Sequence, residues 1–116
     1  MPTLIINTNT PGSKVPQGFL NEATNVVAEM LGKPASFVAV RVHTDQVMSF
    51  GGTQDPCATV DLMCIGKMGP DVNDQHTVTI GNFIQSKLCI PLNRLYINFY
   101  DLERHNVGWN GKTFAK

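Results

Sequence analysis

Residues 26–42 read VVAEMLGKPASFVAVRV, and residues 83–99 read FIQSKLCIPLNRLYINF. Laid over one another at an offset of 57, Val26 and Val27 meet Phe83 and Ile84, and Leu31 meets Leu88. Pro34 then meets Pro91, Val40 meets Ile97 and Val42 meets Phe99. Before each proline the apolar residues recur at helical spacing. After it they alternate, as in a strand with one buried face. A helix-to-strand unit that occurs twice at a fixed offset predicts a repeated architecture.

Working outward, each unit gains a preceding strand. Thr3 to Thr8 is apolar enough for a short strand, closed by a Pro11-Gly12 turn. The first helix starts near Pro16 and carries Leu20, Ala23, Val26, Val27, Met30 and Leu31 on its apolar face, with Gly32 just past its end. Phe37 to His43 follows as a strand. In the second half, Ala58 to Ile65 alternates as a strand, and a Gly69-Pro70-Asp71 turn leads into a stripe of Val72, His76, Ile80, Phe83, Ile84 and Leu88. Leu95 to Tyr100 completes that half. The fold class expected is α/β (α+β): a tandem βαβ repeat, a four-stranded sheet with two helices on one face, and right-handed crossovers. Helices on one side leave the other sheet face open, and a second subunit is expected to cover it. The remaining stretch, Val107 to Phe114, holds Asn110-Gly111, a strong hairpin signal. That hairpin either closes within the chain or extends a neighbour's sheet.

The chain has 116 residues, 12.7 kDa, with nine Lys+Arg against nine Asp+Glu. Residues 1–116 are read as one domain, because a second core would not fit. Zero net charge offers no basic footprint for nucleic acid and no polybasic patch for a membrane surface. Charged residues are 16%, against roughly 25% in soluble domains. Together with the zero net charge, that deficit points to association between copies. No run of about 20 apolar residues exists to span a bilayer. Met1-Pro2-Thr3-Leu4-Ile5-Ile6-Asn7 lacks the basic and long apolar segments of a signal peptide. Cys57, Cys64 and Cys89 form an odd, sparse set that suits free thiols in a reducing, cytoplasmic setting.

Chemistry-bearing motifs are few. There is no GxGxxG, P-loop or HExxH pattern, and Gly51-Gly52 is a lone pair in a turn. His43, His76 and His105 lie on separate elements without ligand spacing, so no metal and no cofactor are expected. His76 reads as a core histidine and Asp61 as a hydrogen-bonded or rim carboxylate. Pro2 is the unusual residue. Removal of an initiator Met before a small residue would leave a prolyl secondary amine at the start of a rigid strand. Burial or a nearby cation disfavours the ammonium, and a neutral amine is a usable general base. The competing reading is a strand-initiating proline and nothing more.

Pro2, Asn7-Thr8-Asn9, Val15-Pro16, Leu31-Gly32-Lys33-Pro34, Phe50-Gly51-Gly52, Asp55-Pro56-Cys57-Ala58, Cys64-Ile65-Gly66-Lys67, Tyr96-Ile97-Asn98 and Asn106-Val107-Gly108-Trp109-Asn110 together resemble the macrophage migration inhibitory factor family of the tautomerase superfamily. The resemblance spans Met1 to about Ala115. It implies a homotrimer whose three sheets enclose a channel, with segments near Val107 to Trp109 pairing with a neighbour's sheet. It implies keto–enol tautomerisation of aromatic α-keto acids such as phenylpyruvate, and of dopachrome-type substrates. By resemblance, Pro2 is the catalytic base, and Lys33 and the Ile65 amide bind the substrate carboxylate. Tyr96 and Asn98 come from the adjacent subunit, and Phe37 sits at the pocket rim. Val107, Trp109 and Phe114 form the apolar wall. It also implies a cytokine-like protein that binds a CD74-type receptor and is secreted without a signal peptide. The alternative is a non-catalytic receptor-binding module with the pocket as scaffold.

This chain departs from the family at four positions. Phe37 replaces a Tyr, Met63 and Cys64 replace a His-Ser pair, and Val60 replaces the second cysteine of a redox motif. No thiol–disulfide activity is therefore expected. Where Met1 remains attached, the Pro2 nitrogen is an amide and not a base.

Overall fold

The computed structural model describes all residues from Met1 to Lys116. Its elements follow the order β1 (Thr3–Thr8), α1 (Phe19–Leu31), β2 (Ala39–His43), β3 (Ala58–Cys64), α2 (Asn73–Leu88), β4 (Leu95–Asp101), and a terminal pair β5 (Gly108–Trp109) and β6 (Lys112–Thr113). The four long strands form one sheet in the order β2-β1-β3-β4. Within each half the strands are parallel, β1 with β2 and β3 with β4. The halves meet antiparallel along β1 and β3, with Ile5 opposite Asp61. The sheet is therefore mixed, and both of its edges belong to the second strand of a half.

Strand alternation sets which side chains form the core. Leu4, Ile6 and Thr8 of β1 and Ala58, Val60, Leu62 and Cys64 of β3 point to one face and are buried. Both helices answer with residues spaced by four. These are Phe19, Ala23, Val27 and Leu31 on α1, and His76, Ile80, Ile84 and Leu88 on α2. All of these apolar residues join one buried cluster, which places both helices on the same face. The helices touch through Phe19 and Phe83, with ring centroids 5.2 Å apart, and through a Lys87–Glu22 ion pair of 2.7 Å.

Some expectations change in detail. Phe37 lies in a 3-10 turn, Ala35–Phe37, and not in β2. Pro34 and the turn it opens take up the chain between helix and strand, and the ladder to β1 begins only at Ala39. Leu20 is exposed, because it falls outside the row of four-residue spacing that faces the sheet. Ile65 follows β3, whose ladder ends at Cys64. Cys57 precedes β3 and is buried there, its N–H donating to Asn9 Oδ1 at 3.0 Å. The open sheet face is polar as well as uncovered. Asp61 accepts from Asn98 Nδ2 at 3.2 Å and from Tyr100 OH at 3.4 Å. The terminal hairpin closes within the chain, with Asn110 at φ 52° and Gly111 at φ 85° in its turn. Those two positive values are the ones a type I′ turn requires.

Candidate functional site

The site begins where α1 stops. Gly32 takes a left-handed conformation (φ 63°), and the Lys33 N–H donates to Ala28 O at 3.0 Å. This Schellman closure turns the chain sharply at the helix end and leaves Lys33 beside the start of β1. Lys33 Nζ donates to the Ile65 carbonyl at 3.4 Å, so it also spans from α1 to the end of β3. Pro2 is buried, and its carbonyl accepts from Ala39 N–H at 3.0 Å, which fixes the chain start against β2.

Around these residues lies a cavity of about 390 Å³. Met1, Lys33, Phe37, Ile65 and Phe114 line it, together with Pro34 and Arg104. Phe37 anchors the aromatic wall. Its ring meets Trp109 edge-on at 5.1 Å and Phe114 at 6.3 Å, and Trp109 stacks on Phe114 at 6.1 Å. The Val107 carbonyl accepts from the Phe114 N–H at 3.1 Å and so holds the terminal hairpin in place. Cys64 Sγ is buried 3.9 Å from the Met1 carbonyl oxygen.

Electrostatics at this end favour neutral groups. The Met1 amine is held below the usual range of an α-amino group, chiefly by burial. Cys64 opposes that shift and the Lys33 charge adds to it. The Cys64 thiol is pushed up, chiefly by burial, against the opposing pull of Lys33 and the chain-terminal amine. An amine that loses its proton easily, beside the cations Lys33 and Arg104 and an aromatic wall, suits an anionic ligand with a flat apolar body.

The cavity unites several of the residues singled out from the sequence. Lys33, Ile65, Phe37 and Phe114 line it, and Trp109 packs on Phe37 and Phe114. Pro2 is buried beside Met1, and Val107 meets Phe114 through its carbonyl. Tyr96 and Asn98 lie elsewhere. Tyr96 packs on Phe50 at 4.8 Å beside the opposite edge of the sheet, and Asn98 binds Asp61 on the open face. Within one chain, β4 is separated from β2 by two strands, so its side chains do not reach the cavity. Arg104 was missed by sequence reasoning. It sits in a 3-10 turn (Arg104–Asn106) without apolar periodicity, and its Nε donates to Phe114 O at 3.3 Å. No group of three or more His, Cys, Asp or Glu side chains is arranged to hold a metal ion.

The chain matches the family described as Macrophage migration inhibitory factor (MIF) over residues 1–115. It belongs to the macrophage migration inhibitory factor family. A family member of Rattus norvegicus is 48% identical over 115 residues, covering 99% of this chain and all of the rat protein. The homolog of Brugia malayi is 45% identical with the same coverage. The solved structure of the factor from Trichinella spiralis superposes with a TM-score of 0.94 at 42% identity, covering 96% of this chain and 98% of that one. The family fold, two helices and a mixed four-stranded sheet, is therefore shared across the whole chain. None of its helices is long and apolar enough to cross a membrane.

Proposed function

We propose that the chain, once Met1 is removed, is a keto–enol tautomerase for aromatic α-keto acids of the phenylpyruvate and dopachrome type. The observation that carries this reading is the convergence of the chain start, Lys33, Ile65, Phe37 and Phe114 on one cavity. The Pro2 amine takes a proton from the carbon next to the ketone. The electron pair moves onto the ketone oxygen, which takes up a proton to give the enol. Lys33 and the Ile65 N–H hold the substrate carboxylate, and Phe37, Trp109 and Phe114 receive its ring. Tyr96 and Asn98 serve the site of an adjacent copy in a homotrimer, which accounts for their distance from the cavity of their own chain. As in the wider family, a secreted, cytokine-like role at a CD74-type receptor accompanies the chemistry.

The test joins intact mass to a phenylpyruvate assay. Protein lacking Met1 is expected to be active and protein retaining it inactive. Pro2→Gly is expected to lower turnover by about 100-fold or more while the oligomer survives. The acid limb of the rate profile is expected below the value of about 8 for a free α-amino group. The sign follows from the base: its rate falls as pH drops through the amine pKa, and burial moves that pKa down. Turnover by Pro2→Gly within about threefold of the parent protein would remove Pro2 from the mechanism.

A further inference from the structure

Within one chain, every polar side chain that lines the cavity is a cation. Of its seven lining residues, only Lys33 and Arg104 carry polar side-chain atoms, and the others are Met, Pro, Phe and Ile. There is no hydroxyl, amide or carboxylate among them. Neither cation has a carboxylate partner, since the ion pairs of the chain are Lys87–Glu22 and His105–Glu103. Glu103, although next to Arg104 in sequence, turns to His105 at 3.3 Å. Arg104 uses only Nε within the chain, donating it to Phe114 O. That bond ties the guanidinium to the residue whose ring forms part of the aromatic wall, and leaves both Nη groups for a ligand. A guanidinium fork is shaped to bind a carboxylate with two parallel hydrogen bonds.

A substrate with a single carboxylate satisfies one of these cations. The second, Arg104, stays without an anionic partner at the exposed rim of the cavity, where solvent screens it and a second acidic group adds a modest gain. Phe37 itself offers a ligand only its ring at this wall. We propose that this cavity selects ligands with two anionic groups on one flat apolar body, one group held at Lys33 and the other at Arg104. For the reaction proposed above, on which this substrate class rests, the preferred substrates are aromatic α-keto acids with a second acidic group on the ring. Arg104 is the specificity-determining residue, and it leaves the proton transfer itself to Pro2.

Two non-reacting acids test this by calorimetric titration: phenylacetate, with one carboxylate, and 4-carboxyphenylacetate, with two. The unaltered protein is expected to bind the dicarboxylate about five- to tenfold more tightly. Arg104→Gln is expected to erase that preference while changing phenylacetate binding by less than about twofold, and Arg104→Lys to keep most of it. Raising salt is expected to shrink the preference. Because Arg104 is exposed, both variants are expected to keep the melting temperature of the parent, and a scan checks this. Equal affinity for the two acids in the unaltered protein, or a preference that survives Arg104→Gln, would overturn the proposal. Phenylpyruvate turnover is measured on the same samples, shown by intact mass to lack Met1. Turnover without dianion preference overturns the dianion site alone. Dianion preference without turnover supports the dianion site and removes the tautomerase reading.

Discussion

The fourteen residues between β2 and β3 (44–57) contain no helix and a single isolated bridge, Phe50 with Thr53. Thr8 and Asn9 bind part of this stretch from the end of β1, and one side chain from the other half of the molecule gathers four of its carbonyls. Arg94 Nε donates to Pro56 O at 3.0 Å, Nη1 to Phe50 O at 3.1 Å, and Nη2 to Thr53 O at 3.3 Å and Asp55 O at 3.0 Å. Its guanidinium also lies 5.6 Å from the Phe50 ring centroid. A buried charge-assisted hydrogen bond contributes about 1.5–3 kcal/mol. Most of these carbonyls are exposed, so water replaces part of each bond, and a value of about 0.5–1 kcal/mol apiece applies. Four bonds then give about 2–4 kcal/mol for Arg94→Ala. Arg94→Lys retains the charge but not the fork, reaches one or two carbonyls, and is expected to cost about half as much. Urea unfolding at fixed protein concentration measures both variants, and hydrogen exchange at the Phe50 and Thr53 amides localises the effect. An alanine variant within about 0.5 kcal/mol of the parent, or a lysine variant equal to it, would refute the claim that fork geometry holds this loop.

Two further predictions concern other parts of the fold. Gly81 lies inside α2, where glycine costs about 1 kcal/mol relative to alanine. An added Cβ would sit 3.1 Å from Leu92 Cδ2, the end of a half-exposed side chain that can rotate away. Gly81→Ala is therefore expected to raise stability by about 0.5 kcal/mol, and a lowered melting temperature would show that Leu92 does not yield. Of the three free thiols only Cys89 is exposed. Burial keeps Cys64 protonated at neutral pH. One fast-reacting thiol per chain is expected with a disulfide reagent, and Cys89→Ser is expected to abolish that phase. Two fast thiols would contradict the burial of Cys57 and Cys64.

Much of this architecture could be read from the chain because its information is periodic. The offset between Pro34 and Pro91 carries helix, break and strand in each half, and the structure has those elements within a few residues. Lys33 entered through family resemblance, and the Gly32 cap is what sets where its side chain emerges. Contacts made by carbonyls and by isolated side chains have no such signature. Nothing periodic marks Arg94 as the residue that gathers four loop carbonyls, or Arg104 as part of a cavity wall. The antiparallel join of β1 and β3 is likewise a property of how two halves meet, and neither half encodes it alone. Tyr96 and Asn98 entered through family resemblance, and within one chain they face elsewhere.

The same offset that aligns the halves pairs Lys33 with Ile90. One is half-buried at the cavity and the other is entirely enclosed by the core. The backbone is thus repeated while its binding capacity is not. A saturating titration of the cavity should count one ligand per chain rather than two. Placing a lysine at position 90 would put an unpaired charge among Ile84, Leu88 and Leu95 rather than build a second site. Binding stoichiometry therefore follows the number of chains in an assembly, and the twofold pattern in the sequence leaves it unchanged.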